Sequence, residues 1–278
     1  MDVKKLVIGI ILLTGIAVLA ACGSSSASQS KKEIKIGATA GPYSDQVKDS
    51  IKPILEKEGY DVKVIEFSDY VQPNKALHEG DLDANVFQNI LYMEKFNNEH
   101  DMDLEEVLPV PTAPIGVYSE KHKDLSDIQK GAKVTLPNDP VNMARALIMM
   151  DEYGWIALNG EVDPSKASEK DVAENKLELK IVPLEAAQLP RSLGDSDFAF
   201  INGNFAIASG IDLESALGLE KTPYEYMNQV VINSKDKDEA FVQALEDAYK
   251  SEKFVQYTDN NLAGFVRPEY FGELEAQK

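Results

Sequence analysis

The sequence predicts an α/β protein of two lobes, and three observations lead there. From Glu33 onward, β-like runs alternate with runs of helical apolar spacing. Strands separated by helices imply parallel sheets, whose ligands sit at the carboxyl ends of the strands. A body of roughly 250 residues is long enough for one large or two smaller domains, and two lobes suit that length better.

The leader comes first in the chain. Lys4 and Lys5 precede an unbroken apolar run from Leu6 to Ala20, which is shorter than the roughly 20 residues needed to span a bilayer but fits a secretory signal. Leu19-Ala20-Ala21-Cys22 closes it and looks like a bacterial lipobox, with the only cysteine of the chain at its end. The small residues before Cys22, and Gly23 and the serine tract after it, favour lipidation over a plain secretory signal or an uncleaved anchor. The expectation is a signal peptide at 1–21, a lipidated Cys22, and a tether at 22–32 whose flexible reach is about 17 Å. Two or three acyl chains hold a protein firmly, because each buried methylene contributes about 0.8 kcal/mol. The body is therefore expected at the extracytoplasmic face of the cell membrane. With Cys22 carrying lipid, no disulfide can form and the core alone must hold the fold.

The formal charge of the whole chain is −19. Losing Asp2, Lys4 and Lys5 with the leader would leave about −20. That excludes nucleic acid and anionic membrane surfaces as partners, since both need a basic face.

The body opens as βαβ. Ile34–Ala38 reads as a strand, Val47, Ile51, Ile54 and Leu55 fall at helical spacing, and Asp61–Phe67 reads as a strand. Pro53 interrupts the helical pattern, so a kink there, or a helix starting near Ser50, is expected. A short helix from Pro73 to Glu79 is closed by Gly80, and Leu82–Phe87 is extended. Further strands are expected at Ile115–Tyr118, Lys133–Leu136, Leu179–Leu184, Phe198–Ile201 and Gln229–Ile232. Helices are expected at Val141–Tyr153, Ala186–Leu193 and Lys237–Tyr249. Asp101–Glu106 is acidic without the calcium-loop pattern and reads as a solvated loop or helix start.

The most informative chemistry lies in Pro137-Asn138-Asp139-Pro140-Val141-Asn142-Met143-Ala144-Arg145. Asp139 suits an N-cap and Pro140 a first helical position, which puts Asn142 and Arg145 three apart on one face of the opening turns. A cation there opposes the helix dipole unless both address one bound carboxylate. A solvated arginine is the alternative. Arginine is scarce, with Arg145, Arg191 and Arg267 against 25 lysines, so its fork geometry carries weight where it occurs. Tyr70, Phe87 and Tyr92 follow strands and either line one end of a cleft, suiting a thioether or aliphatic side chain, or pack in the core. Asn202 and Asn204 follow an apolar strand; an asparagine there either shapes the turn or meets an ammonium and a carboxylate. Together these residues describe a site for a free amino acid.

Phe67-Ser68-Asp69-Tyr70-Val71-Gln72-Pro73-Asn74, Pro137-Asn138-Asp139-Pro140, Glu185-Ala186-Ala187-Gln188-Leu189-Pro190-Arg191 and Ile201-Asn202-Gly203-Asn204 closely resemble the NlpA-type lipoproteins, the methionine-binding proteins of ABC importers. The resemblance runs from about Ile34 to Tyr249. It implies a two-lobed periplasmic-binding-protein fold, type II-like, each lobe a mixed, mainly parallel sheet flanked by helices. Lobe 1 would comprise 33–118 and 225–278, and lobe 2 would comprise 119–224. The implied ligand is L-methionine or a close relative, and the implied partners are a membrane permease and a cytoplasmic ATPase, served by a monomer. Arg145 falls on the family's carboxylate-binding arginine with Asn142 beside it, Asn202 on its ligand-contacting asparagine, Asn204 next to that, and Tyr70, Phe87 and Tyr92 on its aromatic wall. This chain has Asn89 where typical members have histidine, and Ala40-Gly41-Pro42-Tyr43 where they have Pro-Gly-Pro-His. An amide in place of a ring allows a larger or more polar ligand, such as a methionine-containing dipeptide.

Other classes have little support. His78, His100 and His122 form no metal-ligand set, so neither a metal nor a cofactor is expected. No Gly-x-Ser-x-Gly elbow occurs and no cysteine remains for catalysis, so no enzymatic activity is expected. A surface adhesin or structural lipoprotein is the remaining class, and it would need no buried Arg145.

Overall fold

The computed structural model describes residues 33–160 and 166–272. The leader, Cys22 and the tether lie outside the described residues. Among those described, no helix is long and apolar enough to cross a membrane.

Two five-stranded sheets organise the chain. The first has the order β2-β1-β3-β12-β4, built from β1 (Glu33–Thr39), β2 (Asp61–Phe67), β3 (Ala84–Asn89), β4 (Leu104–Pro109) and β12 (Asn228–Asn233). β1 runs parallel to β2 and β3, whereas β12 runs antiparallel to β3 and β4. The second has the order β11-β5-β10-β6-β9, from β5 (Ile115–Tyr118), β6 (Lys133–Pro137), β9 (Lys180–Leu184), β10 (Phe198–Asn202) and β11 (Gly218–Leu219). Here β6 is parallel to β10 and β9, and β5 is antiparallel to β10 and β11. Both sheets are mixed, with parallel and antiparallel pairings in equal number. A small hairpin, β7 (Ala157–Leu158) with β8 (Val172–Glu174), stands apart. Because β5 lies in the second sheet, the first passage between sheets falls before Ile115, not after Tyr118.

The helices are α1 (Pro42–Gln46, Val47–Ile51 and Lys52–Lys57 in continuous series), α2 (Gln72–Glu79), α3 (Ile90–His100), α4 (Pro140–Glu152), α5 (Gly203–Ala208), α6 (Ala240–Tyr249) and α7 (Glu252–Asn261). α1 starts at Pro42, earlier than Ser50. Its middle segment is a π-turn in which the Lys52 amide bonds back to Val47 O. Pro53 follows directly on this widened turn, whose looser winding accommodates its ring and missing N–H inside the continuous helix. Ala186–Ser192 is a 3₁₀ segment, since Pro190 inside it cannot support an α-helical bond. Asp101 ends α3 in the left-handed conformation, and the acidic stretch after it runs directly into edge strand β4.

Amides in β3 are buried and satisfy one another. Asn74 of α2 donates to Gln88 Oε1 at 2.7 Å and accepts from Asn85 at 2.9 Å and Gln88 at 2.6 Å. This cluster fixes α2 on the sheet, because a buried amide left without a partner would cost about 1–3 kcal/mol.

The chain passes between the sheets twice, at 110–114 and 220–227. The first passage is held by the C-terminal segment: Thr112 and Val266 exchange backbone bonds of 2.9 and 2.8 Å, and Tyr270 Oη donates to Pro109 O at 3.1 Å. Phe271 then buries itself in the first core, edge-on to Phe254 at 6.0 Å. Each sheet has its own apolar core, and a third cluster joins Tyr70 and Phe87 to Leu189, Ile201 and Phe205 between them.

Candidate ligand-binding site

The carboxyl ends of β3, β6 and β10 converge on a small cavity of about 20 Å³. Arg145, Asn142, Asn202 and Asn204 reach it from the second sheet's side, and Tyr70, Phe87, Asn89 and Tyr92 from the first. All eight residues singled out from the sequence are thus brought together.

The polar wall grows from the start of α4. Asp139 is its N-cap, with Oδ1 accepting the Asn142 amide at 2.9 Å, and Pro140 sits in the first turn. One helical turn on, Arg145 is buried, with 5% of its surface exposed. Its Nη1 donates to Asn142 Oδ1 at 2.9 Å, and the Tyr226 ring lies 4.9 Å from Cζ. Asn142 Nδ2 donates to both Asp139 oxygens at 3.0 Å, and Asn142 Oδ1 also accepts Asn202 Nδ2 at 3.0 Å. Each polar atom of the Asn142 side chain therefore has a protein partner. Asn202 differs: its Oδ1 is buried with no hydrogen-bond partner among the described residues.

Arg145 does meet a carboxylate, but one belonging to the chain. Glu220, in the second passage between sheets, accepts Nε at 2.7 Å and Nη2 at 2.5 Å in bidentate geometry. Burial alone would push Glu220 up, yet the guanidinium charge and its hydrogen bonds hold the carboxyl below its ordinary value. The guanidinium is correspondingly raised: Glu220 outweighs the desolvation that would lower it. At Asp139 burial wins over the Asn142 bonds, and the carboxyl is raised.

The aromatic wall is made of rings in mutual contact. Tyr70 stacks on Phe87 at 5.7 Å, and Tyr92 is edge-on to both at 6.0 Å. Tyr70 also reaches across to the other side, donating to Asn204 Oδ1 at 2.8 Å and touching the Phe205 ring at 4.9 Å. Burial raises the Tyr70 hydroxyl well above its ordinary value. It is a donor only. Tyr92 Oη donates to Tyr70 O at 3.0 Å. Asn89 lines the cavity while its Oδ1 caps α3 through the Tyr92 amide at 2.8 Å.

Tyr43, Thr112, Ala113 and Asn228 complete the lining and went unrecognised in the sequence, as did Glu220 and Tyr226. Of these, Tyr43 already stood out in Ala40-Gly41-Pro42-Tyr43, where typical members have Pro-Gly-Pro-His, and Asn228 is an amide that opens strand β12. Glu220 carried none, being 75 residues from its partner. Arg191 and Gln188 pair with each other at 3.4 Å on the exposed side of the 3₁₀ segment, whose Ala186 and Leu189 pack inward. That motif supports packing and stands outside the cavity. Among the described residues, no group of His, Cys, Asp and Glu is placed to hold a metal.

Two mixed α/β lobes, linked by two passages and closing strand ends over a buried arginine, amides and rings, define a two-lobed ligand-binding protein. A family model described as NlpA lipoprotein matches residues 34–270, and the chain belongs to that family. The chain is similar to the methionine-binding lipoprotein MetQ of Bacillus subtilis, at 35% identity over 95% of this chain and 98% of that protein. It is also similar to the D-methionine-binding lipoprotein MetQ of Escherichia coli K12, at 36% identity over 91% and 93%. Among solved structures, a nutrient-binding protein from Burkholderia cenocepacia bound to methionine superposes with a TM-score of 0.80 at 40% identity, covering 84% of this chain and 99% of that one.

Proposed function

We propose that this chain is a lipid-anchored, extracytoplasmic binding protein that captures methionine and delivers it to an ABC importer. The observation that carries the reading is the buried, unpartnered Asn202 Oδ1 beside the Arg145 guanidinium and opposite a wall of rings. An ammonium supplies the donor that Asn202 Oδ1 needs, the guanidinium takes the carboxylate, and Tyr70, Phe87 and Tyr92 receive the thioether side chain. Tyr70 bridging to Asn204 and Phe205 supports a closed arrangement that must open for a ligand to enter, since about 20 Å³ holds little more than a water molecule. The two lobes are taken as 33–109 with 228–272, and 115–219, moving about the passages between them. The relatives named as lipoproteins support anchoring through Cys22. The protein is taken to act as a monomer.

A second reading, a methionine-containing dipeptide, is favoured by one feature. Arg145 and Glu220 also line a wider cavity of about 450 Å³, where Leu91, Ile148, Met149, Pro223 and Tyr226 meet the charged Glu152, Lys221 and Glu225. Titration calorimetry on the detergent-solubilised full chain, with L-methionine, D-methionine and methionine dipeptides, separates the readings. Heat of binding with none of them would reject both.

A further inference from the structure

The Arg145–Glu220 pair changes what the cleft can accept. A lone buried guanidinium would favour any carboxylate, with or without an ammonium. Here the positive charge is already matched by Glu220, whose side chain is 7% exposed. Glu220 is not loosely placed. Besides Nε and Nη2 of Arg145 it accepts Thr222 Oγ1 at 2.9 Å and the Ile115 amide at 3.4 Å. Displacing it would strip a buried carboxylate of all these donors at once, so it stays in place when a ligand binds. A guanidinium has five N–H groups. Glu220 takes two and Asn142 one, which leaves two on the remaining edges for a second carboxylate.

That second carboxylate would make the buried group net negative unless the ligand also brings a cation. Asp139, the other acidic group at this wall, stands behind Asn142 and accepts from its backbone amide and side chain. It offers no compensating positive charge. The acceptor left over at Asn202 Oδ1 lies on the same side and suits an ammonium.

We propose that Glu220 is a specificity-determining residue: by neutralising Arg145 and holding it in place, it makes the cleft select a net-neutral zwitterionic amino acid over the corresponding anion. This rests on the reading of the cavity as a methionine cleft. The rule concerns ligand charge and is independent of the side chain enclosed by the rings.

The test is a charge series on the detergent-solubilised full chain by titration calorimetry: methionine, its 2-hydroxy analogue (an anion), and methionine amide (a cation). The unsubstituted protein should bind methionine about 100-fold or more tightly than the anion. Glu220→Gln should shift the two charged ligands in opposite directions, strengthening the anion and weakening the cation, each by about tenfold. Glu220→Asp, which keeps the charge, should keep the order seen with glutamate. A role limited to bracing the fold would weaken all three ligands together, and that result overturns the proposal. If Glu220→Gln shows no cooperative unfolding transition, the unsubstituted protein still decides, because binding the anion within threefold of methionine also overturns it. If the unsubstituted protein binds none of the three, the methionine reading itself fails. If methionine binds and only the opposite-signed shift is missing, the Glu220 assignment alone falls.

Discussion

The two walls of the cleft are built on different principles. On the first-sheet side, Tyr70 and Phe87 stack and Tyr92 meets both edge-on, over distances near 6 Å, contacts that are weakly directional and tolerate small shifts. On the second-sheet side, Asp139, Asn142, Arg145, Asn202 and Glu220 form a connected chain of directional bonds at 2.5–3.0 Å. The polar wall is brittle and the aromatic wall is forgiving. Recognition of the ligand's charged end therefore depends on a few atoms, whereas recognition of its side chain is spread over area.

The sharpest way to break this contrast is Arg145→Ala. It removes the guanidinium and leaves Glu220 buried without its counter-ion, so unfolding in urea should show a loss of about 3–5 kcal/mol and methionine binding should fall below detection in calorimetry. Normal binding by this variant would dismiss the polar wall as the ligand's partner. Asn202→Ala comes next. Its Oδ1 has no partner to lose among the described residues, so affinity should drop about 10- to 100-fold, while stability changes by about 1 kcal/mol through the lost bond to Asn142. Equal losses in both measurements would place Asn202 in the scaffold. Tyr70→Phe keeps the ring and removes only the bond to Asn204, and should cost about 1 kcal/mol of stability with affinity altered less than tenfold.

Acid titration gives a finer distinction, because the two carboxyls of the polar wall are shifted oppositely. Glu220 is lowered from 4.5, so its stabilisation is complete above that value and is lost only as pH falls through its depressed folded value. Asp139 is raised from 3.8, so it opposes folding increasingly as pH rises from there through its folded value. The stability difference between the unsubstituted protein and Glu220→Gln should thus stay level from pH 7 down to about pH 5 and shrink below about pH 4.5. A difference that changed between pH 7 and 5 would contradict the ion pair. The smallest effect is expected at Arg191→Ala, within about 0.5 kcal/mol, because that guanidinium is exposed and, among the described residues, reaches only Gln188.

What could be read from the sequence follows the same divide between local and distant causes. The N-cap Asp139, Pro140 in the first turn, and Asn142 and Arg145 one turn apart are all local, and α4 is built as their spacing implies. Gly80 closes α2 in the left-handed conformation, as a glycine there suggests. The acidic run before Glu106 hid edge strand β4, whose pairing with β12 bridges more than a hundred residues. α3 starts without a break at the end of β3, and its cap is Asn89, a residue that pocket reasoning alone would assign wholly to ligand. Glu220 sits in a short connecting stretch, and its importance is created only when the fold brings it to Arg145.

The C-terminal strap across the first passage has a consequence for how the molecule is made. β12, which sits between β3 and β4, and the Val266 and Phe271 contacts all come from the last fifth of the chain. The second sheet, in contrast, is continuous from Ile115 to Leu219. As the polypeptide emerges N-terminus first, the arginine-bearing half can assemble while the other half still waits with a gap in its sheet. Truncation by even a dozen residues therefore injures the half where the chain begins.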